Sequence, residues 1–201
     1  MSDIRRTKPK LSLNYFVGID IPTHIKEEIN YFIREKMKKF DHLLDWINMF
    51  EYHITLGYLG KITEEQRLRL ISVSGRVQFP PFSIGIQGIG FHPIGKNPKV
   101  LWVGVKRGRE KINVFTENVR SRITNEAGLI PKDSYYPHIT ISKIKNLNKD
   151  KYDLFDFVSK NWDYPFGDFK VDSFHLYRIT KSGYTRNHEV KLKNLPYLHF
   201  E

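Results

Sequence analysis

One tripeptide occurs twice, 85 residues apart. His53-Ile54-Thr55 lies within Tyr-His-Ile-Thr-Leu, and His138-Ile139-Thr140 lies within Tyr-Pro-His-Ile-Thr-Ile. With 8 His and 9 Thr among 201 residues, chance yields fewer than one His-x-Thr triplet, so two copies with the same central residue call for a shared cause. Each copy sits in an alternating run. Around the first, Tyr52, Ile54, Leu56 and Tyr58 share one face, and His53, Thr55 and Gly57 the other. Around the second, Ile139 and Ile141 oppose His138, Thr140 and Ser142. Period-2 alternation reads as a half-buried strand, whose apolar face holds it to a core while His and Thr point together to the opposite side. An imidazole beside a hydroxyl, present twice, is equipment for acid–base chemistry at a phosphate if the two strands face one groove.

The remaining alternation predicts an α+β fold. Residues 13–20 read as a short buried strand. Pro22 opens a helix with Ile25, Ile29, Phe32, Ile33 and Phe40 on one stripe. A short strand follows near 45–47, then the first His-x-Thr strand over 51–59, ended by Gly60. Thr63-Glu-Glu-Gln66 has the form of a capping box, opening a helix that carries Leu68, Leu70 and Ile71. Past Pro80-Pro81, Phe82, Ile84 and Ile86 mark a strand, and Gly88, Gly90, Pro93, Gly95 and Pro98 a turn-rich passage to a strand over 100–105. That passage is read as structural, because no helix with phosphate-loop glycine spacing follows it. Ile112, Phe115, Val119 and Ile123 give an amphipathic helix closed near Gly128. The second His-x-Thr strand spans 136–144, a helix covers 152–160, and strands are expected over 169–177 and 184–192. Hairpin-type strands mixed with helices favour α+β over a doubly wound parallel sheet. Each half contains a strand–helix–strand unit with one His-x-Thr motif, which suggests an internal pseudo-repeat.

Composition narrows the partners. The net charge of +11 points to a polyanion, with nucleic acid ahead of an anionic membrane. Cysteine is absent, which excludes disulfides, thiolate zinc sites and a Cys nucleophile, and makes a cytoplasmic setting the default. No apolar run approaches the roughly 20 residues of a membrane helix, and no signal-peptide pattern is visible. Residues 1–12 read as a flexible basic N-terminal arm, and 13–201 as a single bilobal domain. His24, His42, His92, His175, His188 and His199 read as structural or solvent-facing, with no ligand spacing for a metal. Tyr136 and Trp102 are candidates for stacking on a base as well as for core packing. Lys106, Arg107, Arg109 and Lys111 form either an extension of an RNA track or a solvated loop face.

The two motifs, together with Tyr15-Phe-Val-Gly-Ile-Asp-Ile-Pro22, Glu51-Tyr-His-Ile-Thr-Leu-Gly-Tyr-Leu-Gly60, Val100-Leu-Trp-Val-Gly104, Pro137-His-Ile-Thr-Ile-Ser-Lys143 and Phe174-His-Leu-Tyr177, resemble the two-histidine (2H) phosphoesterase superfamily. The branch most similar is the RNA 2′,3′-cyclic phosphodiesterase family, historically called 2′-5′ RNA ligases. The resemblance runs from Leu13 to Leu192. It implies a bilobal α+β fold in which two antiparallel sheets line a central cleft, with helices outside. It implies catalysis by His53 and His138 and phosphate binding by Thr55 and Thr140. Lys143 stands where many relatives have Arg, which keeps the cation and loses the bidentate fork. Tyr136 is added as a substrate-binding aromatic.

The implied activity is hydrolysis of RNA 2′,3′-cyclic phosphate ends to 2′-phosphate, needing neither cofactor nor metal. His53 acts as acid toward the 3′ oxygen and His138 as base for water, and the reverse 2′-5′ ligation is secondary. The expected partner is RNA with a cyclic phosphate end, tRNA fragments among them, bound by a monomer away from membranes. Two alternatives remain open on the sequence: a non-catalytic nucleotide- or RNA-binding module, and a phosphodiesterase for 2′-5′ oligoadenylates or small cyclic nucleotides.

Overall fold

The computed structural model describes residues 12–95, 97–133, 135–145 and 151–193. The proposed N-terminal arm, but for Ser12, and His199 lie outside them. Among the described residues, nine strands and four α-helices follow the predicted order with one strand more than expected. Strand β1 (Ser12–Asp20) buries Tyr15, Val17 and Ile19 in the core, and its intervening Phe16 stacks on the other side against Tyr177, with ring centroids 4.7 Å apart. Helix α1 (Thr23–Phe32) starts after Pro22, whose fixed φ suits a helix start, and buries Ile25, Ile29 and Phe32. The expected continuation to Phe40 changes winding, through a π turn at Ile33–Met37 and a 3₁₀ turn at Lys38–Phe40 that keep Ile33, Met37 and Phe40 buried. Strand β2 (Leu44–Trp46) and a 3₁₀ turn at Met49–Glu51 lead into β3 (His53–Thr63). The capping box forms as read: the Gln66 amide donates to Thr63 Oγ1 at 3.2 Å, and the Thr63 amide to Gln66 Oε1 at 2.9 Å, opening α2 (Glu64–Ser74).

Strands β4 (Phe82–His92) and β5 (Val100–Val105), helix α3 (Arg109–Ala127), strand β6 (His138–Ile144) and helix α4 (Lys151–Lys160) come next, followed by β7 (Pro165–Val171), β8 (Ser173–Thr180) and β9 (Gly183–Lys191). The sheet runs β7-β4-β5-β6-β3-β1-β8-β9, with β2 added on β6, and every pairing is antiparallel. Its two halves meet at β6 and β3 through one paired position, Ile54 with Ile139. This is an α+β architecture in which the two halves of one continuous, curled antiparallel sheet flank a cleft. The pseudo-repeat is visible in it: β1-α1-β3 on one side answers β5-α3-β6 on the other, each ending in a His-x-Thr strand. Among the described residues, no helix is long and apolar enough to cross a membrane.

Three boundaries differ from the sequence reading. Gly60 does not end β3; it takes φ 71° inside the strand, and the register steps from Tyr15–Gly60 to Phe16–Tyr58, leaving Leu59 as a bulge. Gly88 does the same in β4, with φ 77°, so the strand runs on to His92 where a turn was expected. The single strand expected over 169–177 is two, because the core-facing phase switches from the partly buried Phe169 and buried Val171 to Phe174 and Leu176 across Asp172.

Candidate active site

Because β3 and β6 are antiparallel and Ile54 faces Ile139, the register sets His53 toward Thr140 and Thr55 toward His138. Both isoleucines are fully buried, which fixes each strand's apolar face to the core and turns the His and Thr side chains the other way. The result is a cleft of about 650 Å³ lined by both histidines, with Thr55, Tyr58 and Asp133 on one side and Thr180, Gly183 and Tyr184 of the β8–β9 turn on the other. Thr140 is half-buried on β6, two residues beyond His138 and level with Trp102 of β5.

The two rings are held alike. His53 Nδ1 lies 2.8 Å from the Glu51 carbonyl, and His138 Nδ1 lies 2.7 Å from the Tyr136 carbonyl; in each case the acceptor is two residues upstream. A carbonyl can only accept, so Nδ1 carries the proton and Nε2 is left for the cleft. Thr55 Oγ1 lies 3.1 Å from His53 Nε2. His53 has a further support, Tyr184, whose hydroxyl is 2.9 Å from Nδ1 and also donates to the Glu51 carbonyl. Gly183, at φ 124°, carries no side chain where the Glu51 carboxylate lies, which lets this turn close down. Phe16 completes the enclosure, 4.6 Å from the His53 ring.

Burial removes water from both imidazoles and disfavours their charged forms. It lowers His53 to about 4, against the opposing pull of the Glu51 carbonyl, and the positive charge of a protonated His138 pushes it the same way. His138 is also lowered by burial, opposed by the Tyr136 carbonyl, with His92 adding to the fall and Asp133 resisting it. Asp20, paired across the ladder with His53, favours the charged imidazole, and is itself bridged to Lys26 at 3.0 Å and Arg186 at 2.7 Å.

The segment before β6 is pinned to β3. Arg120 of α3 donates to the Leu56 carbonyl at 3.1 Å and to the Asp133 carbonyl at 2.7 Å, and the Asp133 carboxylate accepts from the Tyr58 amide at 3.0 Å. Pro131 packs where a side chain at Gly57 would stand. These contacts tie the loop that delivers His138 to the strand that carries His53.

Not every expected residue converges. Lys143 is exposed further along β6, between Val100 and Asp45, outside the residues lining the cleft. Tyr136 is 38% exposed, 6.0 Å from the His138 ring and 5.4 Å from Trp102. Ser142 leaves the His-x-Thr face: the register with β5 skips Ile141, and the buried Ser142 hydroxyl donates to the Asp45 carbonyl at 3.0 Å. His92, read as structural or solvent-facing, lines the cleft at the end of the lengthened β4. His175 is buried 5.7 Å from Tyr177 and 3.5 Å from the Glu189 carboxylate, outside the cleft. Sequence reasoning missed Tyr184 and Asp133 as site residues. Tyr184 had one visible signal, its position opening the alternating run that closes the sheet. Among the described residues, no group of three or more His, Asp or Glu side chains is arranged to hold a metal.

The family model for the AKAP7 2′5′ RNA ligase-like domain matches residues 13–190, nearly the whole chain. The chain belongs to this family, within the 2H phosphoesterases. This 2′5′ RNA ligase-like chain is 32% identical over 165 residues to the RNA 2′,3′-cyclic phosphodiesterase of Aquifex aeolicus, covering 80% of this chain and 81% of the relative. It is 30% identical to the protein of the same name from Methanocaldococcus jannaschii, covering 84% and 92%. Among solved structures, E. coli LigT complexed with 3′-AMP superposes with a TM-score of 0.73 at 19% identity, covering 92% of this chain and 100% of LigT. TT0787 of Thermus thermophilus superposes with 0.70 at 20% identity, covering 90% and 99%. These likenesses establish the shared fold of the 2′5′ RNA ligase-like chain.

Proposed function

We propose that this chain hydrolyses RNA 2′,3′-cyclic phosphate ends to 2′-phosphate with His53 and His138 as its proton-transfer pair. The observation that carries the reading is that His53 and His138, on two strands paired at Ile54 and Ile139, line one cleft. It is supported by the relatives named RNA 2′,3′-cyclic phosphodiesterase at 24–32% identity.

In the proposed step the oxygen of a water attacks phosphorus in line with the 3′ oxygen. His138 Nε2 takes a proton from the water as the new P–O bond forms. The P–O3′ bond breaks, and His53, protonated on Nε2, returns a proton to O3′. The pair thus starts with its one extra proton on His53 Nε2 and ends with one on His138 Nε2, and exchange with solvent resets it. Each transfer contributes roughly 10²–10⁴-fold. Thr55 and Thr140 donate to the non-bridging oxygens, where negative charge grows. Lys143, exposed on β6 outside the cleft lining, has no part in this step, and Tyr136 offers a ring beside His138 for the terminal base. A free His53 near pKa 4 is a poor resident acid at neutral pH. An anionic phosphate at its Nε2 raises it, so bound substrate itself brings the acid into its working state. The substrates we infer include tRNA fragments with cyclic ends, acted on by a monomer.

The test is to incubate the protein, in the presence of chelator, with an RNA ending in a 2′,3′-cyclic phosphate. A product carrying phosphate on the 2′ hydroxyl is predicted. No turnover would overturn the reading, and a 3′-phosphate product would move the acid to the other ribose oxygen.

A further inference from the structure

Beside the cleft lies a surface that leads away from the Tyr136 ring and whose cations have no part in the hydrolytic step. It begins at Tyr136, whose ring is 6.0 Å from His138 and carries the Arg109 guanidinium over its face at 4.5 Å. From there a recess of about 660 Å³ is lined by Lys106, Arg107, Arg109 and Lys111, with Glu110 among them and Arg107 ion-paired to Asp168 at 2.5 Å. At its far end Lys106 lies 4.0 Å over the ring of Trp162. The two ends share one frame: the Val105 amide donates to the Pro137 carbonyl at 3.4 Å, so the chain leaves β5 for Lys106 next to the segment that carries Tyr136.

Trp162 is 61% exposed, yet its turn is rigid. The Gly88 amide donates to the Tyr164 carbonyl at 2.8 Å, the Ile89 amide to the Asn161 carbonyl at 3.2 Å, and the Gln87 side chain to the Asp163 carbonyl at 2.9 Å. Any Cβ at Gly88 would collide with the Trp162 carbonyl, so the bulge in β4 and this turn are fitted to each other. A large aromatic held out in solvent on a fixed turn loses little freedom when something stacks on it.

Aromatic faces alternating with cations match the repeat of a single-stranded nucleic acid, in which every nucleotide offers a π face and a phosphate. A duplex hides its base faces, and an acidic protein would leave both rings unused. We propose that the RNA strand leaving the cleft runs over Tyr136, Arg109, Lys106 and Trp162, so the protein grips several nucleotides upstream of the cyclic end. The inference rests on the phosphodiesterase reading and extends it from an end-group activity to a preference for single-stranded polynucleotides.

The test compares a nucleoside 2′,3′-cyclic phosphate with a six-nucleotide RNA ending in the same cyclic nucleotide, in wild type, Trp162→Ala and the milder Lys106→Gln. The longer substrate should show a KM lower by about tenfold or more, the worth of one or more stacked bases. Each variant should lose most of that gain while its rate on the mononucleotide is unchanged. Binding of a fluorescent six-nucleotide RNA with a 3′-hydroxyl end, read by anisotropy, should weaken in both variants and fall steeply with salt. Equal kcat/KM on both substrates in wild type, or equal losses on both in the variants, overturns the track and leaves the phosphodiesterase reading standing. Trp162-dependent RNA binding without hydrolysis of either cyclic substrate keeps the track and overturns the phosphodiesterase reading; loss of both results overturns both.

Discussion

The Tyr184 hydroxyl stands 2.9 Å from Nδ1 of His53 while it donates to the Glu51 carbonyl that the same nitrogen faces. A residue of the edge strand β9 therefore fixes the orientation of a ring on β3, three strands away. Tyr184→Phe keeps the packing against Phe16 and removes only this hydroxyl. We predict that kcat falls by about tenfold, the worth of one well-placed hydrogen bond, while KM changes little. Steady-state kinetics with a circular-dichroism check of folding measures it; an equal rise in KM at constant kcat would assign Tyr184 to substrate binding instead.

The lowered imidazoles fix the pH dependence of kcat/KM. The free protein must hold one proton on the pair. At low enough pH both rings are charged and the base is lost; at higher pH both are neutral and the acid is lost, and burial sets both transitions under the ordinary imidazole value of 6.5. A bell with an acidic optimum is predicted for kcat/KM. The profile of kcat should move to higher pH, because the bound phosphate stabilises the protonated ring. Identical profiles for the two parameters would contradict this electrostatic account.

The same burial makes the fold sensitive to acid. The unfolded chain protonates His53 near pH 6.5 and the folded one only near 4, so stability is complete above 6.5 and drains away as the pH falls between the two values. For this group the loss amounts to about 3 kcal/mol. His138 and His175 are lowered too and add loss of the same sign. Urea unfolding at pH 7 and pH 4.5 should show a smaller acid loss in His53→Gln than in wild type; equal losses would place His53 in an environment as wet as the unfolded chain.

The assignment of acid and base has its own test. Sulfur in place of the 3′ bridging oxygen leaves without a proton, so it relieves the need for a general acid. His53→Ala should regain most of its lost rate on such a substrate, and His138→Ala should not. Rescue of His138→Ala alone would exchange the two roles.

Much of this was legible in the sequence because strand alternation is local. The faces of 52–58 and 138–140, the capping box at Thr63 and the stripe of α3 need no knowledge of partners. What was not legible depends on a second strand. A glycine at positive φ reads as a stop, and only pairing with β1 or β5 shows that Gly60 and Gly88 make bulges inside continuing strands. Ser142 leaves the cleft face because its register with β5 slips, and His92 enters the cleft because β4 is longer than its alternation suggests. Asp133 and Tyr184 reach the site through contacts between segments more than 70 residues apart in the chain, which no window of sequence contains.

In the proposed reaction His53 and His138 act on one phosphorus atom. This joint action is tested most directly by the rate of cyclic-phosphate hydrolysis in His53→Ala, His138→Ala and the double variant, each checked for folding. Either single change should cost roughly 10³-fold or more, with the double variant little worse than the singles, because each ring is useless without the other. A wild-type rate in either folded single variant would contradict it.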